Sequence, residues 1–205
     1  MPRLDDHYFS PDPSAPSRRR RLEVVLRGER WSFWTDAGVF SPTHIDPGTR
    51  LLIESMEVEP GERVLDVGAG YGPVGLVAAR LAGPEGGAVL VEVNQRAADL
   101  AVENATLNEI ANAQVICADG VDPAAVGAVD VVVCNPPSHA GKALIFGLFE
   151  AAAACLPEGG RMYLVGHKYL GVNSLQRWLE EHVGPVDLMA RGAGFRVLLC
   201  VKRTG

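Results

Sequence analysis

The chain has 205 residues, of which 47% are hydrophobic and 21% charged, and its formal net charge is −6 at pH 7. These values are typical of an ordinary globular protein of one domain. The negative net charge argues against a protein that binds nucleic acid through its overall charge alone. No apolar run reaches the roughly 20 residues of a membrane-spanning helix and the N-terminus has no signal-peptide core, so we expect a cytoplasmic protein without a membrane partner.

Residues 1–45 are predicted to form an N-terminal arm and an accessory hairpin. Residues 1–17 contain four prolines and few large apolar residues, which predicts an extended arm. Residues 22–26 and 31–35 are rich in β-forming side chains and flank a glycine, which predicts a hairpin outside the main sheet. Between Ser17 and Arg30 six arginines accompany two glutamates. This local positive charge can steer a polyanion toward one face, or it can simply be a solvated surface.

From residue 46 to residue 205 strand and helix patterns alternate. Asp46 is predicted as the N-cap, and Pro47 as the first-turn residue, of a helix that runs to about Met56. The predicted strands are residues 63–67, 88–93, 114–118, 129–134, 161–165, 186–190 and 195–201, and the further helices are 73–81, 96–107, 143–155 and 174–182. Such alternation predicts an α/β fold with a mostly parallel seven-stranded sheet, helices on both faces and an antiparallel C-terminal hairpin at one edge.

The cysteines are spaced far apart and lie inside apolar segments. They are Cys117, Cys134, Cys155 and Cys200. Without any Cys-x-x-Cys pairing, this spacing favours buried thiols over a disulfide or zinc framework, and we expect no metal site.

The segment VLDVGAGYGPVG at residues 64–75 combines a buried strand, a glycine loop and a helix start. Its alternate glycines are Gly68, Gly70 and Gly72. This arrangement binds nucleotide-like ligands through main-chain N–H groups and the positive end of the helix dipole. A dinucleotide fingerprint also fits the segment from Gly70 onward, so NAD stays an alternative, but Asp66 before the loop suits a cationic amine better than a pyrophosphate.

Polar residues stand at the carboxyl ends of the first four strands predicted from residue 63 onward. They are Asp66, Glu92, Asp119 and Asn135. Ligands of parallel sheets bind beyond these strand ends. Glu92 can accept hydrogen bonds from two ribose hydroxyls, and Asp119 can accept one from an exocyclic amine such as that of adenine. Each acid alone is better explained as a cap or a solvated loop residue, but their recurrence at successive strand ends indicates a binding site.

The sequence NPPSH at residues 135–139 follows the fourth of these strands. Pro136 and Pro137 fix the backbone and have no N–H group, so the carbonyls of Asn135 and Pro136 are left as acceptors beside the asparagine amide. Such a site can hold an NH₂ group by its two hydrogens and direct the nitrogen lone pair at an electrophile. A rigid turn after a buried strand is the structural alternative.

Taken together, these motifs resemble those of class I S-adenosylmethionine-dependent methyltransferases, and in particular the "small" methyltransferase domain family that includes ribosomal RNA guanine-N2 methyltransferases. The resemblance covers roughly residues 34–203 and depends on TDAGVFSPTHIDPGTRLLIE, VLDVGAGYGPVG, VEVN, CADG, NPPSHAGK and GFRVLLCVK. It implies a Rossmann-like methyltransferase fold for residues 46–205 and S-adenosylmethionine as the cofactor.

The resemblance also implies roles for individual residues. Asp66 and the loop of residues 68–72 would hold the methionine part of the cofactor, Glu92 its ribose and Asp119 its adenine. The cofactor-binding residues implied are Asp66, Gly68, Ala69, Gly70, Gly72, Glu92, Asp119 and Asn135. Asn135 and Pro136 would position the target nitrogen as the catalytic pair, and the residues implied for the substrate are Pro137, His139 and Phe40.

The chain departs from the family at Ser138, where the family usually has an aromatic residue that stacks on the target base. The candidates to replace that ring are His139, Phe40, Trp34 and Tyr169. The reaction expected is methyl transfer to an exocyclic amine, with guanine N2 in ribosomal RNA as the first choice and ribosomal RNA or a ribosomal subunit as the partner. Two alternatives stay open, N5-methylation of a glutamine side chain in a protein and a non-catalytic RNA-binding or ribosome-assembly factor. The sequence does not indicate an oligomeric state.

Overall fold

The computed structural model describes residues 15–137, 141–169 and 171–204. Within these ranges no helix is both long enough and apolar enough to cross a membrane. Most of the predicted arm, together with Ser138 and His139, lies outside the described residues.

The predicted hairpin is confirmed as a separate two-stranded antiparallel sheet of β1 (Arg20–Leu26) and β2 (Glu29–Thr35). Its inner residues Leu26, Trp31 and Phe33 belong to the same buried cluster as the sheet and the helices on one face. The hairpin is therefore packed onto the rest of the protein, while the predicted boundary between residues 45 and 46 stays a prediction.

The main sheet contains the strands β3 (Arg63–Val67), β4 (Gly87–Glu92), β5 (Ala113–Cys117), β6 (Val131–Cys134), β7 (Arg161–His167), β8 (Val186–Gly192) and β9 (Phe195–Val201). Among the described residues the strand order is β5-β4-β3-β6-β7-β9-β8, with β3 to β7 parallel and β9 antiparallel to both of its neighbours. The predicted seven-stranded sheet with an antiparallel edge hairpin is thus confirmed. The chain order reverses between β3 and β6, which is where an open α/β sheet binds its ligand.

Helices cover both faces of the sheet, as predicted. They are α1 (Pro47–Ser55), α2 (Pro73–Ala82), α3 (Gln95–Leu107), α4 (Pro123–Val126), α5 (Lys142–Ala154) and α6 (Val172–His182). Successive residues of β3 serve different faces, because Val64 belongs to the cluster under α1, α2 and α3 and Leu65 to the cluster under α4, α5 and α6. The short α4 was not predicted from the sequence.

Two arginines of the basic N-terminal segment have structural contacts. The Arg27 guanidinium donates to the main-chain carbonyls of Ile53 and Met56, at 3.0 and 3.1 Å, and so satisfies acceptors at the end of α1. The Arg19 guanidinium lies over the Trp34 ring, 5.0 Å from its centroid. These contacts favour a structural explanation for Arg19 and Arg27.

The cysteine prediction is confirmed at three positions and wrong at the fourth. Cys134, Cys155 and Cys200 are buried free thiols, whereas the Cys117 side chain is exposed. Cys117 is exposed because its strand, β5, is the edge of the sheet and is covered less completely than the central strands.

Candidate functional site

The predicted site residues meet at the carboxyl ends of the parallel strands. A first cavity there is lined by Phe40, Gly68, Gly70, Glu92, Asp119, Asn135, Pro136 and Pro137, among others. A small adjoining cavity is lined by residues that include Asp66, Ala69, Asp46 and Thr49. Of the predicted site residues that the structure describes, Gly72 lines neither cavity.

The glycine loop presents main chain to the first cavity. Gly68 and Gly70 have φ angles of 71° and 57°, and a Cβ atom at either position would meet no described atom within 4 Å. The N–H groups of Gly68 and Ala69 donate to the Val91 carbonyl of β4 at 2.9 and 3.1 Å, which holds the loop in place. A ligand can therefore approach the backbone of this loop closely.

Gly72 has a different role, because it is the N-cap of α2 and packs against the protein. A Cβ atom there would lie 3.1 Å from Leu76 Cδ1 and 3.3 Å from the Ala101 Cβ. Its φ of 97° also makes a side chain unfavourable. The structure thus explains this glycine by the turn and by packing, and its predicted contact with the cofactor stays a prediction.

Asp66 is buried at the junction of β3 and α2. Its Oδ2 accepts a hydrogen bond from the Gly75 N–H at 2.7 Å, and only 1% of the surface of Asp66 is exposed. Burial raises the pKa of Asp66 to about 7, because an ionised carboxylate loses hydration there. A cation at this position would restore the ionised form.

Gly75 is required for this close approach of α2 to the sheet. A Cβ atom at Gly75 would lie 2.5 Å from Leu90 Cγ and 2.9 Å from Asp66 Oδ2. Gly75, the last glycine of the alternative dinucleotide fingerprint that begins at Gly70, is therefore explained by helix–sheet packing.

Glu92 braces the glycine loop and borders the first cavity. Its Oε2 accepts from the Gly70 N–H at 2.7 Å and its Oε1 from the Asn94 N–H at 2.9 Å. Burial raises the pKa of Glu92, and these backbone donors oppose that rise. Val93 also donates to this carboxylate, and because a carboxylate has about four lone-pair sites, Glu92 can still accept from a hydroxyl of a ligand. Asp119, after β5, is exposed and lines the same cavity.

The Asn135 carboxamide is oriented by the first turn of α1. Its Nδ2 donates to Thr49 Oγ1 at 2.9 Å and to Asp46 Oδ2 at 3.3 Å. Because an ionised Asp46 can only accept, the amide nitrogen must face it, and Asn135 Oδ1 is turned away. The N-cap signal at Asp46 was visible in the sequence, but nothing in the sequence indicated that Asp46 and Thr49 contact Asn135.

A second cavity borders the same proline segment and extends toward β7, β9 and α6. It is lined by Asn135, Pro136, Pro137, Lys142, Ile145, Phe146, Val165, Gly166, His167, Gly171, Ser174, Leu175 and Phe195. The two cavities share residues 135–137 and Ile145. A group that enters the second cavity therefore meets a ligand of the first cavity across Asn135 and its prolines.

The aromatic rings of the second cavity were not identified from the sequence. The His167 and Phe195 rings pack edge to face with centroids 5.0 Å apart. A Cβ atom at Gly194 would lie 2.7 Å from His167 Nε2, and one at Gly48 would lie 2.7 Å from Phe195 Cδ1. Two glycines distant in sequence thus make room for these two rings.

The aromatic residues proposed from the sequence to stack on the base, as far as the structure describes them, do not line the second cavity. Phe40 lines the first cavity, and Trp34 lies under the Arg19 guanidinium on the hairpin. Tyr169 is 77% exposed, with its ring 5.7 Å from that of His167. His139 is outside the described residues.

Comparison with known proteins gives matches over most of the chain. Residues 30–199 match the sequence model of the family described as Methyltransferase small domain. The chain is 36% identical over 205 residues to YbxB, an uncharacterized protein of Bacillus subtilis, with 97% of this chain and 100% of YbxB covered. It is 34% identical to the ribosomal RNA small subunit methyltransferase C of Pseudomonas fluorescens, with 78% of this chain and 48% of the relative covered.

A solved structure is similar over nearly the same range. It is the Thermus thermophilus 16S rRNA N2 G1207 methyltransferase in complex with AdoMet and guanosine, with a TM-score of 0.78, 30% identity, and coverage of 93% of this chain and 52% of that one. The chain spans about half the length of these two ribosomal RNA methyltransferases.

Proposed function

Because the chain belongs to the methyltransferase small domain family, with S-adenosylmethionine as its cofactor, we propose that it methylates an exocyclic amine, namely guanine N2 in ribosomal RNA. The observation that carries this proposal is the wall of residues 135–137 that the first and second cavities share. It separates a cavity suited to the cofactor from one suited to a base.

The first cavity fits S-adenosylmethionine by the chemistry of its donors and acceptors. The open backbone at Gly68 and Gly70 admits close contact, and Glu92 keeps acceptor capacity for a ribose hydroxyl beside its backbone donors. Asp66, in the small adjoining cavity, supplies a carboxyl group that a cationic amine would stabilise in its ionised form. We assign the methionine part to the loop and Asp66, the ribose to Glu92 and the adenine to Asp119. When bound, the cofactor supplies an electrophilic methyl group.

Asn135 and Pro136 are assigned to the target nitrogen. Asn135 Oδ1 is turned away from Asp46, and Pro136 has a carbonyl but no N–H, so two acceptors are available for the two hydrogens of an NH₂ group. Holding both hydrogens leaves the nitrogen lone pair to point toward the methyl group. Catalysis is then mainly positioning, and the proton leaves after the nitrogen has become cationic.

Guanine is favoured as the base because the similar Thermus thermophilus structure is an N2 methyltransferase with guanosine bound. A base in a duplex cannot reach Asn135, so the target must be unpaired or flipped out of its stack. Pro137, Phe40 and His139 are the residues that we assign to contact with the base. The rings of His167 and Phe195 in the second cavity are added to them.

The test is methylation with labelled S-adenosylmethionine. Purified protein is incubated with small and large ribosomal subunits, and with their deproteinised RNA, from cells that lack the gene. Digestion of the product to nucleosides should place the label in N2-methylguanosine at a single position. Label in glutamine residues of protein would support the protein-methylating alternative, and cofactor binding without any methylation would support a non-catalytic factor.

A further inference from the structure

We infer that Asp46 and Thr49, at the start of α1, are positioning residues. They hold the Asn135 carboxamide with its oxygen toward the NH₂ group that receives the methyl group. The inference depends on the proposed role of Asn135 in methyl transfer. It adds to the site Asp46, which was predicted only as a helix N-cap, and Thr49, for which the sequence predicted no role.

The geometry places two side-chain acceptors of this turn, Thr49 Oγ1 and Asp46 Oδ2, on the Asn135 amide nitrogen. Thr49 is buried, and its Oγ1 accepts from Asn135 Nδ2 at 2.9 Å. Asp46 Oδ2 accepts from the same Nδ2 at 3.3 Å and from the Thr49 N–H at 2.9 Å. One carboxylate oxygen therefore links the helix N-terminus to the amide that follows β6.

The orientation of the amide decides what Asn135 can do. With Nδ2 toward Asp46, Oδ1 is available as an acceptor for an NH₂ group. If the amide turned over, Oδ1 would face the Asp46 carboxylate. Nδ2, a donor, would then face the target NH₂ group, whose hydrogens are also donors. The Asp46 carboxylate, which can only accept, thus opposes the unproductive orientation, and the Thr49 hydroxyl adds a second contact for Nδ2.

The turn that carries the two acceptors is itself held firmly. Leu52 and Ile53 of α1 have no exposed surface, and Arg27 satisfies carbonyls at the far end of the helix. Pro47 at the first position restricts the backbone further. Side chains supported in this way can keep a partner within the narrow geometry that transfer requires.

The Thr49 hydroxyl separates this role from helix capping. The cap needs the Asp46 carboxylate and the Thr49 N–H, and both remain in Thr49→Val. Valine has nearly the shape of threonine, so the substitution removes an acceptor for Asn135 and little else. Thr49→Ser restores a hydroxyl, and Thr106→Val, which removes an exposed hydroxyl bonded to the Val102 carbonyl of its own helix, is the matched control.

The first measurement is turnover at saturating S-adenosylmethionine with the ribosomal subunit or RNA that the protein methylates. Thr49→Val should lower kcat by roughly tenfold to a hundredfold, as expected for a reacting group that has lost its orientation. The cofactor Kd and the Tm should change little, Thr49→Ser should recover most of the rate, and Thr106→Val should match the native protein. Native kcat in Thr49→Val, or a loss confined to cofactor Kd, would overturn the inference.

A double-mutant cycle tests whether Thr49 acts through Asn135. In the Asn135→Ala background, Thr49→Val should cause no further loss of rate, because its partner is already absent. An equal loss in both backgrounds would contradict the inference. If Asn135→Ala itself keeps full activity, the proposed function fails first, so the two failures are distinguishable.

A readout without catalysis comes from the side-chain amide of Asn135. Its paired ¹H–¹⁵N resonances, assigned by their loss in Asn135→Ala, should shift in Thr49→Val and return toward native positions in Thr49→Ser. Resonances unchanged in Thr49→Val would show that the hydroxyl does not hold the amide, and would also overturn the inference.

Discussion

The first and second cavities share the wall of residues 135–137, but the contacts that support their other lining residues differ. The first is bounded by the glycine loop and the end of the next strand, where Glu92 accepts from the Gly70 N–H across 22 positions. The second depends on Asn135, which reaches Thr49 across 86 positions, and on Phe195, which packs at Gly48. The first cavity, lined by residues between Phe40 and Phe149, is thus braced at its glycine loop by a neighbouring strand, whereas the second, lined by residues between Asn135 and Phe195, is supported from outside that range by α1.

Substitutions in the first cavity, the cofactor side, and around the second cavity, the acceptor side, should therefore have separate effects. Changes on the cofactor side should appear in the affinity for S-adenosylmethionine. Changes on the acceptor side should appear in turnover or in the KM for RNA, at unchanged cofactor affinity.

The largest separation is expected for Asn135→Ala. Removal of the amide that orients the target nitrogen should lower kcat on the order of a hundredfold to a thousandfold. The cofactor Kd should stay within about twofold, because the backbone of the glycine loop and Glu92 are unchanged. Turnover with labelled cofactor and calorimetric binding measure the two quantities. Asn173→Ala, on the exposed side of α6, is the control, and an active Asn135→Ala would remove its catalytic role.

Glu92→Gln should have the opposite signature. A glutamine cannot accept with both terminal atoms, so it loses a backbone partner and an acceptor for the ribose hydroxyls. Hydrogen bonds to charged groups contribute about 1.5 to 3 kcal/mol, which predicts a cofactor Kd raised roughly tenfold to a hundredfold. At saturating cofactor kcat should be close to native. Glu103→Gln, an exposed glutamate paired with Arg19, should change neither quantity.

The pKa of Asp66, raised to about 7 by burial, predicts that cofactor binding depends on pH. If the carboxylate holds the cationic methionine part, affinity should rise close to tenfold per pH unit from about pH 5.5 to about pH 6.5 and level off above the pKa. Asp66→Asn should abolish this slope. Calorimetric titrations at several pH values measure it, and an equally steep slope in the variant would assign the pH dependence to another group.

The same pKa fixes the sign of a stability effect. The folded protein keeps a proton on Asp66 that the unfolded chain has already released, from about pH 4 to about pH 7, so this group makes the folded state less stable as pH rises through that window. Urea unfolding at both ends of the window, compared with Asp66→Asn, measures the contribution. A contribution from Asp66 that grows with pH would contradict the buried position of the carboxyl.

The smallest effect is expected for Gly48→Ala, on the acceptor side. Its Cβ would lie 2.7 Å from Phe195 Cδ1, so the ring must move. We expect the KM for RNA to rise by about fivefold to tenfold, at the low end of the ~1 to 3 kcal/mol that stacking contributes per base, with an unchanged cofactor Kd. Gly147→Ala, in α5, is the matched control, because its Cβ would meet no described atom within 4 Å. The control should stabilise the protein by roughly 0.5 to 1 kcal/mol through helix propensity alone, and equal KM values in the two variants would show that the Phe195 ring does not bear on RNA binding.

Most of the fold could be predicted because its determinants are local. Each determinant involves only a few consecutive residues: the alternating strand and helix patterns, the Asp46-Pro47 helix start and the glycine loop. The observed strands differ from the predicted ones by two residues or fewer at each end. The exposure of Cys117 could not be predicted, because it depends on which strand becomes the edge of the sheet.

By itself the sequence determined the α/β fold, the glycine loop and the polar residues at the ends of four parallel strands, because short-range periodicity and strand direction bring such residues to one edge. Only the tertiary structure decided that Gly75 serves packing, that Asp46 and Thr49 hold the Asn135 amide, and that His167 and Phe195 line the second cavity. The contacts of Asn135 and Phe195 join elements far apart in the chain, and their geometry depends on how α1 and β9 pack beside β6 and β7, whereas the Gly75 contact depends on how closely α2 packs on β3 and β4. No local pattern carries that information, since a cap, a glycine or a phenylalanine has the same sequence signature wherever its side chain points.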